Sequence, residues 1–284
     1  MSDPRLVGER ALVTGATGFI GAAVLERLRP SGLELHALSR THAPGDEDGV
    51  SWWRGDVVDG ETLRRIFTSA RPDVVFNLAG ETRAARGLEL VAPTFEANLA
   101  GAVNVLGAAA EIGCRRVVLS GSLEEPDDVY GLSVVNLRLF MVYGPGQRDL
   151  RKLVPYTILA LLRGDPPEVS SGERGVDWVY VDDVADAFLA AASAEGVDGA
   201  SVDIGSGELR SVRQIVERLT QLVAPEITPR FGAVEDRRFE QVRVADTQAT
   251  AASLGWRPVT SLEDGLSRTV DWYRQRLAEG AFAV

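Results

Sequence analysis

Lysine and histidine are almost missing from this chain: Lys152 is its one lysine, and His36 and His42 are its two histidines, in 284 residues. So few histidines exclude the usual His-rich metal sites, and no metal is expected. A single cysteine, Cys114, excludes an internal disulfide framework and fits a reducing compartment. Acidic residues outnumber basic ones 41 to 30, for a net charge of −11. Long-range attraction to nucleic acid or to an anionic membrane is therefore not expected, and any anionic ligand must be held locally. The longest near-apolar stretch, Leu153 to Leu162, falls short of the roughly 18 residues that a membrane span needs, and the polar start is no signal peptide. A cytoplasmic protein is expected.

What is present is a rhythm. Arg10 to Thr14 is a short apolar run, followed by a glycine turn and a helical pattern from Ala22 to Leu28 that Pro30-Ser31-Gly32 stops. Strand patterns recur at Leu33–Leu38, Val50–Arg54, Asp73–Ala79, Arg116–Ser120 and Leu132–Leu139, with helices near Glu61–Ala70 and Pro93–Ile112 between them. Continuous apolar strands alternating with helices imply a parallel sheet covered on both faces. The expected class is α/β, a Rossmann-like doubly wound sheet with a smaller C-terminal substrate-binding lid. The expected division is 1–145 plus 176–204 for the dinucleotide-binding part and 146–175 plus 205–284 for the lid. The lid reads less clearly: a helix at Lys152–Arg163, a Pro- and Gly-rich loop through Gly175, a stretch from Val179 to Ala192, and capping boxes at Ser211–Gln214 and Ser261–Asp264.

Gly15, Gly18 and Gly21 are spaced Gly-x-x-Gly-x-x-Gly at the first strand-to-helix junction. Glycine there permits positive φ, lets the main chain approach a pyrophosphate, and lets helix and strand pack closely, while the helix N-terminus supplies free N–H groups. The residues Gly15, Thr17, Gly18, Phe19, Ile20 and Gly21 are thus candidates for holding a dinucleotide; a tight turn without ligand is the alternative. An acidic residue binding the adenosine ribose would stand about 20 residues on, at the end of the second strand. Ser39-Arg40 stands there instead. An arginine pairs with a 2′-phosphate that a carboxylate would repel, which favours NADP over NAD, unless Arg40 is only an exposed side chain. Asp56, followed by Val57, would accept from the adenine amino group or serve as a loop cap.

With these residues in place, the chain resembles the extended short-chain dehydrogenase/reductases, the NAD(P)-dependent epimerases and dehydratases of nucleotide sugars. The resemblance runs over nearly the whole chain. It rests on TGATGFIG (14–21), GDVVD (55–59), VVFNLAG (74–80), ANLAGAVNVLGAA (97–109), LRLFMVYGPGQ (137–147), DWVYVDDVADA (177–187), DIGSGE (203–208) and ADTQATAASLGWRP (245–258). It implies that Leu78, Ala79, Gly80, Thr82, Asn98, Ser120, Tyr143 and Gly144 line the cofactor. It also implies that Arg237, or else Arg238 or Arg243, grips the diphosphate of a nucleotide-diphosphate sugar. Ser122 matches the family's catalytic hydroxyl. Glu124 matches a carboxylate of the dehydratases, or belongs to an acidic surface loop. A homodimer through the helix near Pro93 is implied as well, although the Ala-rich run from Ala97 would equally suit a buried helix.

The resemblance breaks at its centre. The family's Tyr-x-x-x-Lys pair has no counterpart between Ser122 and Arg138: Tyr130 is followed four residues later by Val134, and Lys152 lies beyond the Tyr143-Gly144-Pro145-Gly146 turn. A parallel crossover needs at least ~10–12 residues and usually includes a helix, which Gly121–Gly131 barely allows. A few dozen residues are therefore expected to be missing near Asp127–Tyr130. The expected activity is hydride transfer at sugar C4 by an epimerase or dehydratase. The alternatives are an NADPH-dependent 4-ketoreductase and a catalytically silent cofactor-binding protein.

Overall fold

Apolar runs bounded by glycine and proline become strands, and amphipathic runs become the helices that cover them. The computed structural model describes residues 9–81, 89, 91–121, 132–236 and 242–282. The first half consists of β1 (Arg10–Thr14), α1 (Phe19–Leu28), β2 (Glu34–Ser39), β3 (Gly45–Glu47), β4 (Val50–Arg54), α2 (Gly60–Ala70) and β5 (Val74–Asn77). After these come α3 (Val91–Phe95), a π-helical turn (Glu96–Ala100), α4 (Gly101–Glu111), β6 (Arg116–Gly121) and β7 (Val134–Leu139). Asp59 starts α2 by accepting the Thr62 N–H at 3.0 Å, and α2 buries Leu63, Ile66, Phe67 and Ala70, one helical stripe.

The remainder holds β8 (Met141–Tyr143), α5 (Leu153–Leu162), β9 (Glu168–Val169), β10 (Gly175–Tyr180), α6 (Val181–Ser193), β11 (Ser201–Ile204), β12 (Leu209–Ser211), α7 (Val212–Val223), β13 (Arg230–Phe231), α8 (Thr247–Leu254) and α9 (Leu262–Ala278). The capping box at Ser211 forms in full with Gln214, and at Ser261 the serine accepts the Asp264 N–H. Among the described residues no helix is long and apolar enough to cross a membrane.

An eight-stranded sheet has the order β11-β7-β6-β5-β1-β2-β4-β3. The pairings β4 to β2, β2 to β1, β1 to β5, β5 to β6 and β6 to β7 are all parallel, and β3 runs antiparallel to β4 along one edge. The chain lays β2 and β4 on one side of β1 and then returns to lay β5 on the other. That reversal makes the carboxyl ends of β1 and β5 a topological switch point, where open α/β sheets bind their ligands. The expected doubly wound sheet is the one found.

The chain separates into two compact units, 1–138 with 185–202 and 249–256, and 139–184 with 203–248 and 257–284. Residues 139–145 and 176–184, read from sequence as dinucleotide-binding, group with the second unit because β8 and β10 pair with each other and β10 pairs with β12. A core around Leu12, Phe67, Val75 and Val117 fills the first unit, and one around Ile158, Ile215, Leu219 and Tyr273 fills the second. Within the first unit Arg116 is a buried pin. Its guanidinium donates to the carbonyls of Ala191 and Ala194, to the Ser133 hydroxyl and to Asp198, joining β6 to the end of α6.

Candidate cofactor site

Gly15 adopts φ +64°, and a Cβ there would lie 2.6 Å from the Leu78 carbonyl oxygen and 2.7 Å from the Ala79 nitrogen. The turn after β1 thus rests directly on the backbone leaving β5. Gly18 donates its N–H to the Gly15 carbonyl at 2.8 Å and becomes the N-cap of α1. It offers no side-chain cap, and the first turn of α1 carries no acidic residue. The amides that a helix normally leaves without internal partners therefore face outward with their partial positive charge undiminished. Gly21, one turn into the helix, is packed so closely that a Cβ would stand 2.1 Å from the Gly15 oxygen. A backbone cradle that excludes every side chain, at a helix N-terminus and a switch point, fits the pyrophosphate of a dinucleotide. Thr17, Phe19 and Ile20 are half-buried around it.

Two residues absent from the sequence reading hold this arrangement together. The Thr14 hydroxyl donates to the Asn77 side-chain oxygen at 2.6 Å and accepts the Leu78 and Ala79 N–H groups, both at 3.2 Å. It is fully buried, and its bonding capacity is filled. The signal was a polar residue ending each of two apolar strands; which strand neighbours which is settled only by the fold.

At the end of β2, the buried Ser39 hydroxyl accepts the Thr41 and His42 N–H groups and lies 3.3 Å from the Thr17 hydroxyl. This turn sends Arg40 outward, its side chain 78% exposed and 3.9 Å from the Asp56 carboxylate. Asp56 also accepts the Val58 N–H, an Asx turn, so the loop-cap role is occupied; Val57 beside it is buried.

Past β5, Gly80 is exposed and Leu78 and Ala79 are half-buried. Asn98, in the π-helical turn, accepts the Glu81 N–H at 2.7 Å and donates to the Glu81 carbonyl at 3.1 Å. Its amide therefore fastens the loop, a recurrent use of a π turn near a site. Ser120 ends β6 exposed, donating to the Asn77 carbonyl at 3.2 Å. Tyr143 and Gly144 belong to the second unit. Tyr143 is 3% exposed and packs edge-on against Tyr180 and Trp178, and a Cβ on Gly144 would meet Val181 at 2.4 Å. The Tyr143 ring is thus core, and only the backbone of that turn is open to a site role. Ser122, Glu124, Thr82 and Arg237 lie outside the described residues, as does Tyr130.

A sequence profile of the NAD dependent epimerase/dehydratase family matches residues 11–129 and again 123–205. The UDP-glucose 4-epimerase of Mycolicibacterium smegmatis is 27% identical over 315 positions that span 94% of this chain and 99% of the relative. The dTDP-glucose 4,6-dehydratase of Neisseria meningitidis serogroup B is 27% identical, with 93% of each chain covered. The structure of MoeE5 in complex with UDP-glucose and NAD superposes with a TM-score of 0.80 at 27% identity, covering 94% of this chain and 99% of that one. The epimerase alignment leaves several dozen of the relative's residues without a counterpart here. The profile match, for its part, ends and restarts between β6 and β7. Matches of this extent, on a chain whose glycine turn packs on the loop after β5, place it in the NAD dependent epimerase/dehydratase family, to which it belongs.

Proposed function

We propose that the first unit holds NADP(H) in preference to NAD(H) and that the chain takes a nucleotide-diphosphate sugar, with Arg237 as the contact for its diphosphate. The reaction class of that pair is reversible oxidation and reduction at sugar C4, as in an epimerase or dehydratase. When bound, the nicotinamide supplies the hydride acceptor and donor. The chain's own residues cradle the pyrophosphate at Gly15, Gly18 and Gly21 and fasten the neighbouring loop through Thr14 and Asn98.

The observation that carries the cofactor preference is Ser39-Arg40 at the end of β2, where a carboxylate would repel a 2′-phosphate. The Arg40 to Asp56 contact is long and exposed, so it holds the guanidinium weakly and is readily exchanged for a phosphate. Arg40→Asp is expected to weaken NADP+ by about 10- to 100-fold, the worth of one to two charge-assisted hydrogen bonds, and to leave NAD+ within about threefold. Titration calorimetry with each dinucleotide checks it; a wild-type protein that binds NAD+ more tightly than NADP+ would sink the preference. Arg40 also favours a second reading, a 4-ketoreductase, which stoichiometric NADPH oxidation by a 4-keto sugar nucleotide would reveal.

We further propose a cytoplasmic homodimer. Val91, Phe95, Leu99 and Val103 recur every fourth residue along α3, the π turn and α4, and they are 48–62% exposed. A continuous apolar stripe on a soluble surface marks an association face. Phe95→Asp is expected to shift the protein from dimer to monomer in sedimentation at micromolar concentration. A wild type that is already monomeric there would refute this contact.

A further inference from the structure

Oxidising an alcohol carbon releases two things, a hydride from carbon and a proton from oxygen. The proton needs a basic group of the protein, and such a group contributes about 10²–10⁴-fold to the rate. This chain is poor in such groups. Each one that lies among the described residues is committed elsewhere.

His36 lies in β2, 5% exposed, its Nδ1 accepting the Trp53 indole N–H, and burial pushes its pKa below the ordinary imidazole value. His42 stacks on Trp52 with ring centroids 3.9 Å apart and bonds Glu47 at 2.8 Å. Cys114 is buried, its thiol pushed up to about 11 by that burial. Tyr143 and Tyr180 are core rings of the second unit. Tyr156 accepts the Glu168 N–H, and Tyr273 donates to the Gln147 carbonyl at 2.7 Å. Lys152, the sole lysine, caps α5 in the second unit.

The remaining tyrosine is Tyr130, and the fold decides what it can be paired with. Strands β6 and β7 are adjacent and parallel, with Val117 opposite Val134 and Gly121 opposite Arg138. The twelve residues 122–133 must therefore carry the chain from the end of β6 back to the level of Val117. That return is roughly 13 Å at ~3.3 Å per strand residue. A helix rising ~1.5 Å per residue needs about nine residues for it, and each connecting loop needs ~2–6 more. Twelve residues, with Pro126 among them, are too few for a covering helix with loops at both ends. The residue four after Tyr130 is Val134, which is 1% exposed inside the sheet, and the segment contains neither lysine nor histidine. Its Asp and Glu side chains are intrinsically weak bases for an alcohol.

Resting on the cofactor reading above, we infer that this chain is a dinucleotide-retaining protein without a proton carrier for sugar oxidation: it holds NADP(H) and does not turn it over. The intact glycine turn and the absent carrier are separate features of the chain, one in the β1–α1 junction and one in the β6–β7 crossover. Function then resides in the occupied state, as in a redox-sensing or scaffold protein.

The test uses the purified full chain. Its intact mass is expected at 30.5 kDa; a mass several kDa higher would mean a longer crossover and overturn the inference. Binding of NADP+ and NADPH is read by equilibrium dialysis, with mass spectrometry of nucleotide released on denaturation. The loaded protein is then incubated with UDP-glucose, with dTDP-glucose and with the nucleotide-sugar fraction of a cell extract. Redox state of the bound nucleotide and sugar products are followed together. Tight binding, an unchanged redox state and conversion at least ~100-fold slower than by the Mycolicibacterium smegmatis epimerase would support the inference. Conversion within tenfold of that enzyme would overturn it while leaving the cofactor reading intact. Failure to bind either dinucleotide would overturn both.

Discussion

Gly21→Ala is expected to abolish measurable dinucleotide binding and to destabilise the first unit by about 2–4 kcal/mol. Helix propensity alone predicts the opposite sign, since alanine in a helix interior is favoured over glycine by roughly 1 kcal/mol. Packing overrides propensity here because the added Cβ would stand 2.1 Å from the Gly15 carbonyl oxygen and 3.1 Å from the Ala16 Cα, both backbone atoms that no rotamer change can move. The Gly15 turn is in turn pressed against Leu78 and Ala79, so relief requires α1 to shift away from β1. Any such shift carries the helix N-terminus off the pyrophosphate position. Gly107→Ala in α4 is the control: nothing lies within 4 Å of its added Cβ, and it should be neutral or slightly stabilising. Thermal unfolding and calorimetric titration of both variants check the pair. Normal NADP+ affinity in Gly21→Ala would refute the close packing of helix on turn.

Asp177→Asn is expected to cost the second unit about 3–5 kcal/mol, the range for breaking a buried charged hydrogen-bond set. Asp177 is 1% exposed. One of its oxygens accepts the Ser206 N–H at 2.6 Å and the Ser206 hydroxyl at 2.7 Å, and the other accepts the Gly207 N–H at 3.0 Å and the Ala245 N–H at 2.9 Å. Asparagine keeps the shape but turns one oxygen into a donor. Whichever way the amide is placed, two donors lose their acceptor and face an NH2 group. With ~2–4 °C per kcal/mol for a chain of this size class, the midpoint should fall by roughly 6–20 °C. Differential scanning calorimetry reads it directly, and a shift under about 2 °C would show that the carboxylate is not the anchor of these three segments.

The two cases differ in how much of each was legible beforehand. The glycine turn could be read because its chemistry is local: three glycines within seven residues, after an apolar run and before a helical one. The alternation of apolar strands and helices likewise announced a parallel doubly wound sheet. Short strands escaped. β3, β9, β12 and β13 span two or three residues each and are defined by a neighbour's hydrogen bonds rather than by their own pattern. The stretch read as Val179–Ala192 divides at Tyr180 into the end of β10 and the start of α6, with no turn residue to mark the change. Asp177 and the loop from Asp203 to Glu208 were separate blocks in the sequence, and nothing local says that one carboxylate binds the other's backbone.

By itself, then, the sequence determined the class of fold, the anion cradle at the first junction, the Ser39-Arg40 end of β2 and the scarcity of lysine and histidine. These are matters of composition and near neighbours along the chain. Only the tertiary structure decided that Gly15 lies against a backbone some sixty residues away, that Thr14 and Asn77 lock the switch point, and that an apolar stripe faces outward from Val91 to Val103. It also turned a suspicion about spacing into a constraint. A count of residues after Ser120 sets no limit until β6 and β7 are known to be parallel neighbours in a stated register, because only then does the crossover have a distance to cover.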